Sequence, residues 1–229
     1  MADLEALEGR IGVTFKNTEL LEEAVTHRSY LNEHREYAGD HNERLEFLGD
    51  AVLELSSTRF LFGRFPEKPE GDLTAYRAAL VNTVSLAESA QALNVGEHLR
   101  LSKGEAKDVG RARQIILANA FEAIVGAVYL DQGYDAAAAF IARTILSKLD
   151  TLIAKGAHQD AKSRFQELAQ EKRGVTPSYK VLAEEGPDHA KRFTVGVYLG
   201  TTEIAQGDGP AKQEAEQAAA SAALDKSGW

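Results

Sequence analysis

The hydrophobic pattern changes period near residues 154–161, and that change limits the chain to two kinds of structure in succession. Up to about Leu152 apolar residues recur at three- and four-residue spacing, as in ELLEEAVTH, RLEFLGDAVLEL, LVNTVSLAESAQAL, IILANAFEAIVGAVYL and AAFIARTILSKLDTLI. This is the spacing of amphipathic helices, and only Pro66 and Pro69 punctuate it. Residues 154–161 (AKGAHQDA) are small, polar and aperiodic, which predicts a linker. After them comes a helical stretch (KSRFQELAQEK), then alternating segments at Ser178–Ala183, Arg192–Leu199 and Thr202–Gln206, then an Ala-rich helix from about Pro210 to Lys226. Pro210 sits near that helix's first turn. The expectation is an all-α domain over 1–153 and a small α-β-β-β-α domain over 162–229. A three-stranded sheet with both helices on one face would bury such a pattern.

Composition excludes more than it suggests. With no cysteine, disulfides, thiolate metal sites and a cysteine nucleophile are ruled out. The acidic start (MADLEALEGR) lacks the basic and apolar regions of a signal peptide. No apolar run approaches the ~18 residues of a membrane span. A cytoplasmic location without a membrane partner is therefore expected. The net charge of −9 argues against a general polyanion binder, so any nucleic-acid contact needs local basic patches or bound metal. From Asp160 onward nine Lys/Arg face eleven Asp/Glu, so most of the acidity belongs to the helical part.

That acidity is patterned. In HNERLEFLGDAVLEL, Glu43, Glu46, Asp50 and Glu54 fall within about 80° of a helical wheel. Leu45, Leu48, Val52 and Leu55 fall opposite and are expected to face the core. Like charges at i,i+4 disfavour the helix by a few tenths of a kcal/mol each, on the order of 0.2–0.5. A divalent cation would offset this, and hard carboxylate oxygens suit Mg²⁺. A plain solvated face has the same spacing. A second segment sharpens the choice. ILANAFEAIVGAVYLD is almost wholly apolar, yet carries Asn119 and Glu122 three residues apart. A buried Glu facing other acids is unfavourable unless a cation lies between them.

These same segments resemble the ribonuclease III family. NERLEFLGDAVL is similar to its signature helix over twelve positions. THRSY, EGDLT…RAALVN at Glu70–Asn82, LSKGE at Leu101–Glu105 and FEAIVGAVYLDQGY agree, and the likeness runs into the C-terminal part. The resemblance implies an endonuclease that cuts double-stranded RNA with Mg²⁺, Mn²⁺ being able to substitute, and without an organic cofactor. It implies products with 5′-phosphate and 3′-hydroxyl ends and short 3′ overhangs, and roles in rRNA and mRNA processing. Glu46, Asp50, Asn119 and Glu122 match the metal-binding and catalytic positions, and Glu43 a supporting acid. In two-metal hydrolysis one cation activates water and the other stabilises the departing 3′ oxygen.

Asn119 departs from the family pattern, in which many members carry Asp. Three readings stay open: a natural variant in which Asn still ligates or orients a metal-bound water, an engineered change, or a catalytically silent double-stranded RNA binder. A structural ribonucleoprotein component is a further rival, but it would have no use for four acids together. Phe47, close to the acid stripe, cannot join the core while the acids stay wet, and an exposed aromatic there suggests an interface. The family forms a homodimer through this helix.

The C-terminal unit resembles a double-stranded RNA-binding domain, a reader of shape across two minor grooves and the intervening phosphates. Ser163, Gln166, Glu167 and Gln170 share one polar helix face that can meet 2′-hydroxyls. His189, Lys191 and Arg192 follow a Gly-Pro turn, and His189 matches a groove-contacting loop residue of the family. Lys212 and Gln213 begin the last helix, where the family usually has two lysines and where the helix N-terminus favours phosphate. His27 reads as a packing or capping histidine, Asp72 and Arg77 as helix-start and fold contacts, Glu105 as support for the dimer or the RNA path, and Asp131 as a helix end.

Overall fold

The computed structural model describes residues 4–154, 161–187 and 191–229. It divides into two compact units, Met1–His158 and Gln159–Trp229.

The first unit is helical, as its periodicity predicts. Its helices are α1 (Leu4–Ile11), α2 (Thr18–Ala24), α3 (Arg28–Glu33), α4 (Glu43–Arg64), α5 (Glu70–Leu80), α6 (Thr83–Ala92), α7 (Arg111–Gln132), α8 (Tyr134–Thr144) and α9 (Leu149–Ala154). Helix α7 is the axle of the core. From Ile116 to Val128 only Asn119 and Glu122 escape full burial. By length and composition α7 could cross a bilayer, a property that a count of uninterrupted apolar residues misses, yet 61% of its apolar window is buried inside this unit.

Helix α4 lies against α7 with backbones touching. A Cβ on Gly49 would fall 1.8 Å from the Glu122 carbonyl oxygen, and one on Gly126 would fall 2.3 Å from the Leu45 carbonyl oxygen. Position 45 meets 126 and position 49 meets 122, so the two helices run antiparallel. The buried face of α4 is Leu45, Gly49, Val52, Leu53, Ser56, Ser57 and Leu61. This corrects the wheel drawn from leucine and valine alone: Leu55 is 57% exposed. The core arc is turned by about 80° toward the acids. Small residues caused the error. Gly49, Ser56 and Ser57 let a neighbouring helix approach but add nothing to an apolar count. The acids consequently flank the α4–α7 seam instead of opposing it.

Side chains read as structural take specific posts. His27 caps α3, its Nδ1 accepting from the Ser29 amide at 3.3 Å. Burial, ahead of its charged neighbours, pushes the His27 imidazole below its usual range. Asp131 does not cap its own helix. It accepts from the amides of Lys16 and Asn17, both at 2.9 Å, and so fastens the entry of α2 to the end of α7. Asp72, in the first turn of α5, pairs with Lys68 at 3.0 Å.

The second unit contains α10 (Ala161–Arg173), β1 (Pro177–Glu185), β2 (Arg192–Leu199), β3 (Thr202–Gly209) and α11 (Lys212–Ser227). The sheet is antiparallel in the order β1-β2-β3. Val197 and Leu199 project from β2 onto Phe165 and Ala169 of α10 and Ala219, Ala220 and Ala223 of α11. The alanines have a reason. A Cβ on Gly207 would stand 2.1 Å from the Ala219 amide, so α11 rests almost backbone to backbone on β3. Pro210 lies before α11, which begins two residues later than its sequence suggests, with Ala211 at the cap.

Candidate functional site

The antiparallel contact of α4 and α7 brings together the acids that the sequence placed on separate helices. Burial raises the pKa of the Glu122 carboxyl to about 7, and the negative charges of Asp50 and then Glu46 push the same way. Burial also raises Glu46, with Glu43 and Asp50 adding to the shift, while a hydrogen bond from the Asn119 side chain opposes it. Glu46, Asp50, Asn119 and Glu122 therefore occupy one electrostatic neighbourhood.

The stripe is compensated at its ends and not in its middle. Glu43 is paired with Arg28 at 3.1 Å, and Glu54 with Arg77 at 3.3 Å. Arg77 also donates to the Thr58 hydroxyl at 2.8 Å, tying α5 to α4. Among the described residues no Lys, Arg or His pairs with Glu46, Asp50 or Glu122. The acids left uncompensated are the ones crowded at the seam. The arginine partners come from α3 and α5, and a reading confined to the stripe itself missed them.

Among the described residues no three His, Asp or Glu side chains stand close enough to grip a metal ion by themselves. Mg²⁺ makes no such demand. It keeps several waters and is commonly held by one or two carboxylates together with substrate phosphate. Hard oxygen donors, and the burial that together with the charges of Asp50 and Glu46 raises the Glu122 carboxyl to about 7, fit that ion.

On the face of α4 away from the core, Phe47 is 82% exposed and Phe62 73% exposed, with Leu55 between them. Phe47 itself borders a cleft of about 640 Å³ whose lining joins Leu20, Leu45, Leu48 and Leu130 to Glu23, His41, Glu43 and Arg44. Glu105 lies in a short 3₁₀ turn and acts electrostatically on His27, as does Glu43.

In the second unit Ser163, Gln166, Glu167 and Gln170 are all exposed on α10, and Gln170 donates to the Thr176 hydroxyl at 3.2 Å. Arg192 opens β2, and Lys212 and Gln213 are exposed in the first turn of α11. Lys191 precedes β2, and His189 lies outside the described residues.

Residues 17–149 match the Ribonuclease-III-like family model, and residues 161–227 match the double-stranded RNA binding motif. The chain is 48% identical over 227 residues to Ribonuclease 3 of Geobacillus kaustophilus, covering 98% of this chain and 91% of that protein. It is 44% identical over 229 residues to Ribonuclease 3 of Listeria monocytogenes, covering 99% and 98%. A solved nuclease domain of ribonuclease III from Campylobacter jejuni, described for flexibility in its dimer-forming region, superposes with TM-score 0.58 at 40% identity over 65% of this chain and 99% of that one. The chain belongs to the ribonuclease III family, endoribonucleases that join a nuclease domain to a double-stranded RNA-binding domain.

Proposed function

We propose that this chain is a Mg²⁺-dependent endonuclease specific for double-stranded RNA, with catalysis in the first unit and duplex binding in the second; of the linker expected at 154–161, Ala154 ends α9 and Ala161 begins α10, and the residues between them lie outside the described residues. The observation that carries the reading is the crowding of Glu46, Asp50 and Glu122 at one helix seam without a protein cation to balance them. Glu46, Asp50, Asn119 and Glu122 would hold the metal, which when bound supplies Lewis-acid activation of water and stabilisation of the departing 3′ oxygen. The protein's own residues give position and charge. Gly49 and Gly126 set the seam, Arg28 and Arg77 hold the outer acids Glu43 and Glu54, and Asn119 donates to Glu46. Products would carry 5′-phosphate and 3′-hydroxyl ends with short 3′ overhangs. Structured rRNA and mRNA precursors in the cytoplasm are the substrates this architecture suits. Incubation with long double-stranded RNA and Mg²⁺ should give short duplexes, and chelation should stop the reaction. Intact RNA that stays bound to the protein would favour the rival reading of a silent binder, which Asn119 motivates.

Asn119 supplies a neutral donor where Asp would add a fourth charge. We expect Asn119→Asp to keep or raise the cleavage rate and to lower the Mg²⁺ concentration needed for half-maximal activity. A clear fall in rate would show that the amide is required for a different purpose.

The reading includes a homodimer with one site per RNA strand. Its support is the exposed Phe47 on the rim of a cleft that mixes leucines with charged side chains, an arrangement that two copies related by a two-fold axis can satisfy reciprocally. Phe47→Asp should sediment as a monomer and lose cleavage. A dimer of that variant would reject the interface.

A further inference from the structure

The candidate RNA-contact surface of the second unit contains an acid that the contact assignment does not use. Glu184, the penultimate residue of β1, extends its carboxylate between lysines from two different elements. Its Oε1 is 3.1 Å from Nζ of Lys212 in the first turn of α11, and its Oε2 is 3.8 Å from Nζ of Lys191 just before β2. The backbone fixes this arrangement. Glu184 stands opposite Phe193 in the β1–β2 register, and the Lys212 ammonium lies 5.4 Å over the Phe193 ring. The hydrogen bond from Lys212, with the charges of both lysines, holds the Glu184 carboxyl below the usual carboxylate range.

Resting on the double-stranded RNA-binding reading of this unit, we propose that Glu184 is an internal competitor for backbone phosphate. It occupies Lys212 and Lys191 in the free protein and thereby sets a modest affinity and a shallow salt dependence for duplex RNA.

The argument is electrostatic. An exposed ion pair is weak enough to exchange one partner for another, so Glu184 does not block phosphate. Its charge stays within a Debye length, about 8 Å at physiological salt, of any phosphate that reaches Lys212. Each lysine that neutralises a phosphate adds about 0.9 to the slope of log affinity against log salt. A lysine that arrives already neutralised adds less. The effect is pronounced here because the region from Asp160 onward has more acids than bases, eleven against nine, and because Gln213 follows Lys212 where a second cation would help. Weak, salt-tolerant capture would leave the choice of cleavage site to the nuclease unit and would ease product release.

The test is equilibrium binding of the full chain to a labelled duplex of about 20 base pairs, slightly longer than one domain's footprint of about 16. Divalent cation is omitted so that the RNA stays intact, and salt is varied. Glu184→Gln keeps the shape and removes the charge. It should bind about three- to tenfold more tightly at physiological salt, with a slope steeper by about one. Glu184→Ala should move the same way. Glu203→Gln removes an equal charge from β3, where Glu203 accepts from the Tyr198 hydroxyl, and should change affinity less than twofold. Unchanged or weaker binding by both Glu184 variants would overturn the proposal, because the carboxylate would then serve only to position the lysines. Equal gains from Glu184→Gln and Glu203→Gln would overturn it too, since net charge would suffice. A wild-type chain that ignores the duplex even at low salt would sink the RNA-binding reading itself, a distinct failure that takes this proposal with it.

Discussion

Glu122→Gln should abolish Mg²⁺-dependent cleavage while leaving a fold that is more stable than the wild type above neutral pH in the absence of metal. The loss of rate should be on the order of a thousandfold or more, since metal-ion catalysis is worth several kcal/mol and each ~1.4 kcal/mol is a factor of ten. The stability effect follows from the raised carboxyl. In the folded chain Glu122 titrates at about 7, against an ordinary 4.5, because burial and then Asp50 and Glu46 disfavour its charge. The protonated form is the one the fold prefers. Its contribution is fully present below the unfolded-state value and is lost as pH rises through about 7. Metal-free wild type should therefore lose melting temperature between about pH 5 and pH 8, and Glu122→Gln should lose less, having no proton to release there. Mg²⁺ should raise the wild-type melting temperature at pH 8, because a ligand bound only by the folded state stabilises it. The variant should show a much smaller rise. Identical pH profiles and identical Mg²⁺ shifts for the two proteins would refute the shared site, whatever happened to activity.

Much of that site was legible because chemistry and pattern conflict at so few positions. In α7 the polar pair Asn119 and Glu122 interrupts an apolar run, and those two side chains are the ones between Ile116 and Val128 that are not fully buried. The three strands followed from alternation, although β1 and β3 run longer than the alternating segments, to Glu185 and Gly209. What the sequence hid was contact made by residues with little side chain or far away in the chain. Leucine spacing put Leu55 in the core, whereas Gly49, Ser56 and Ser57 hold that face. Arg28 and Arg77 neutralise the ends of the acid stripe from other helices, which no wheel of α4 can display. Asp131 looked like a helix terminator because its amide partners, Lys16 and Asn17, lie more than a hundred residues earlier. Local rules reach one turn of helix or one strand pair, and these contacts are tertiary.

The close approach of α4 and α7 makes Gly49 the position where the smallest change should have a large effect. Alanine adds one methyl, which would meet the Glu122 carbonyl oxygen at 1.8 Å and the Gly126 amide at 2.9 Å. Both obstacles are backbone, so no rotamer change relieves them and the helices must separate. Alanine gains about 0.5–1 kcal/mol of helix propensity over glycine. Overpacking a tight core costs about 1–3 kcal/mol or more, which outweighs it. Gly49→Ala should lower the melting temperature by several degrees, at about 2–4 °C per kcal/mol for a chain of this size. Activity should fall further than stability. Glu122 is carried on the helix that moves, while Glu46 and Asp50 stay on α4. A displacement of about 1 Å in a catalytic constellation costs on the order of a hundredfold in rate. Gly63→Ala on the same helix is the control, since a Cβ there meets nothing within 4 Å and should be neutral or stabilising. Cleavage rate per folded molecule, melting temperature and the Mg²⁺ concentration for half-maximal rate separate the two effects. A Gly49→Ala protein with wild-type melting temperature and wild-type rate would mean that the helices do not touch at this point, and the geometry argued for the acids would have no support.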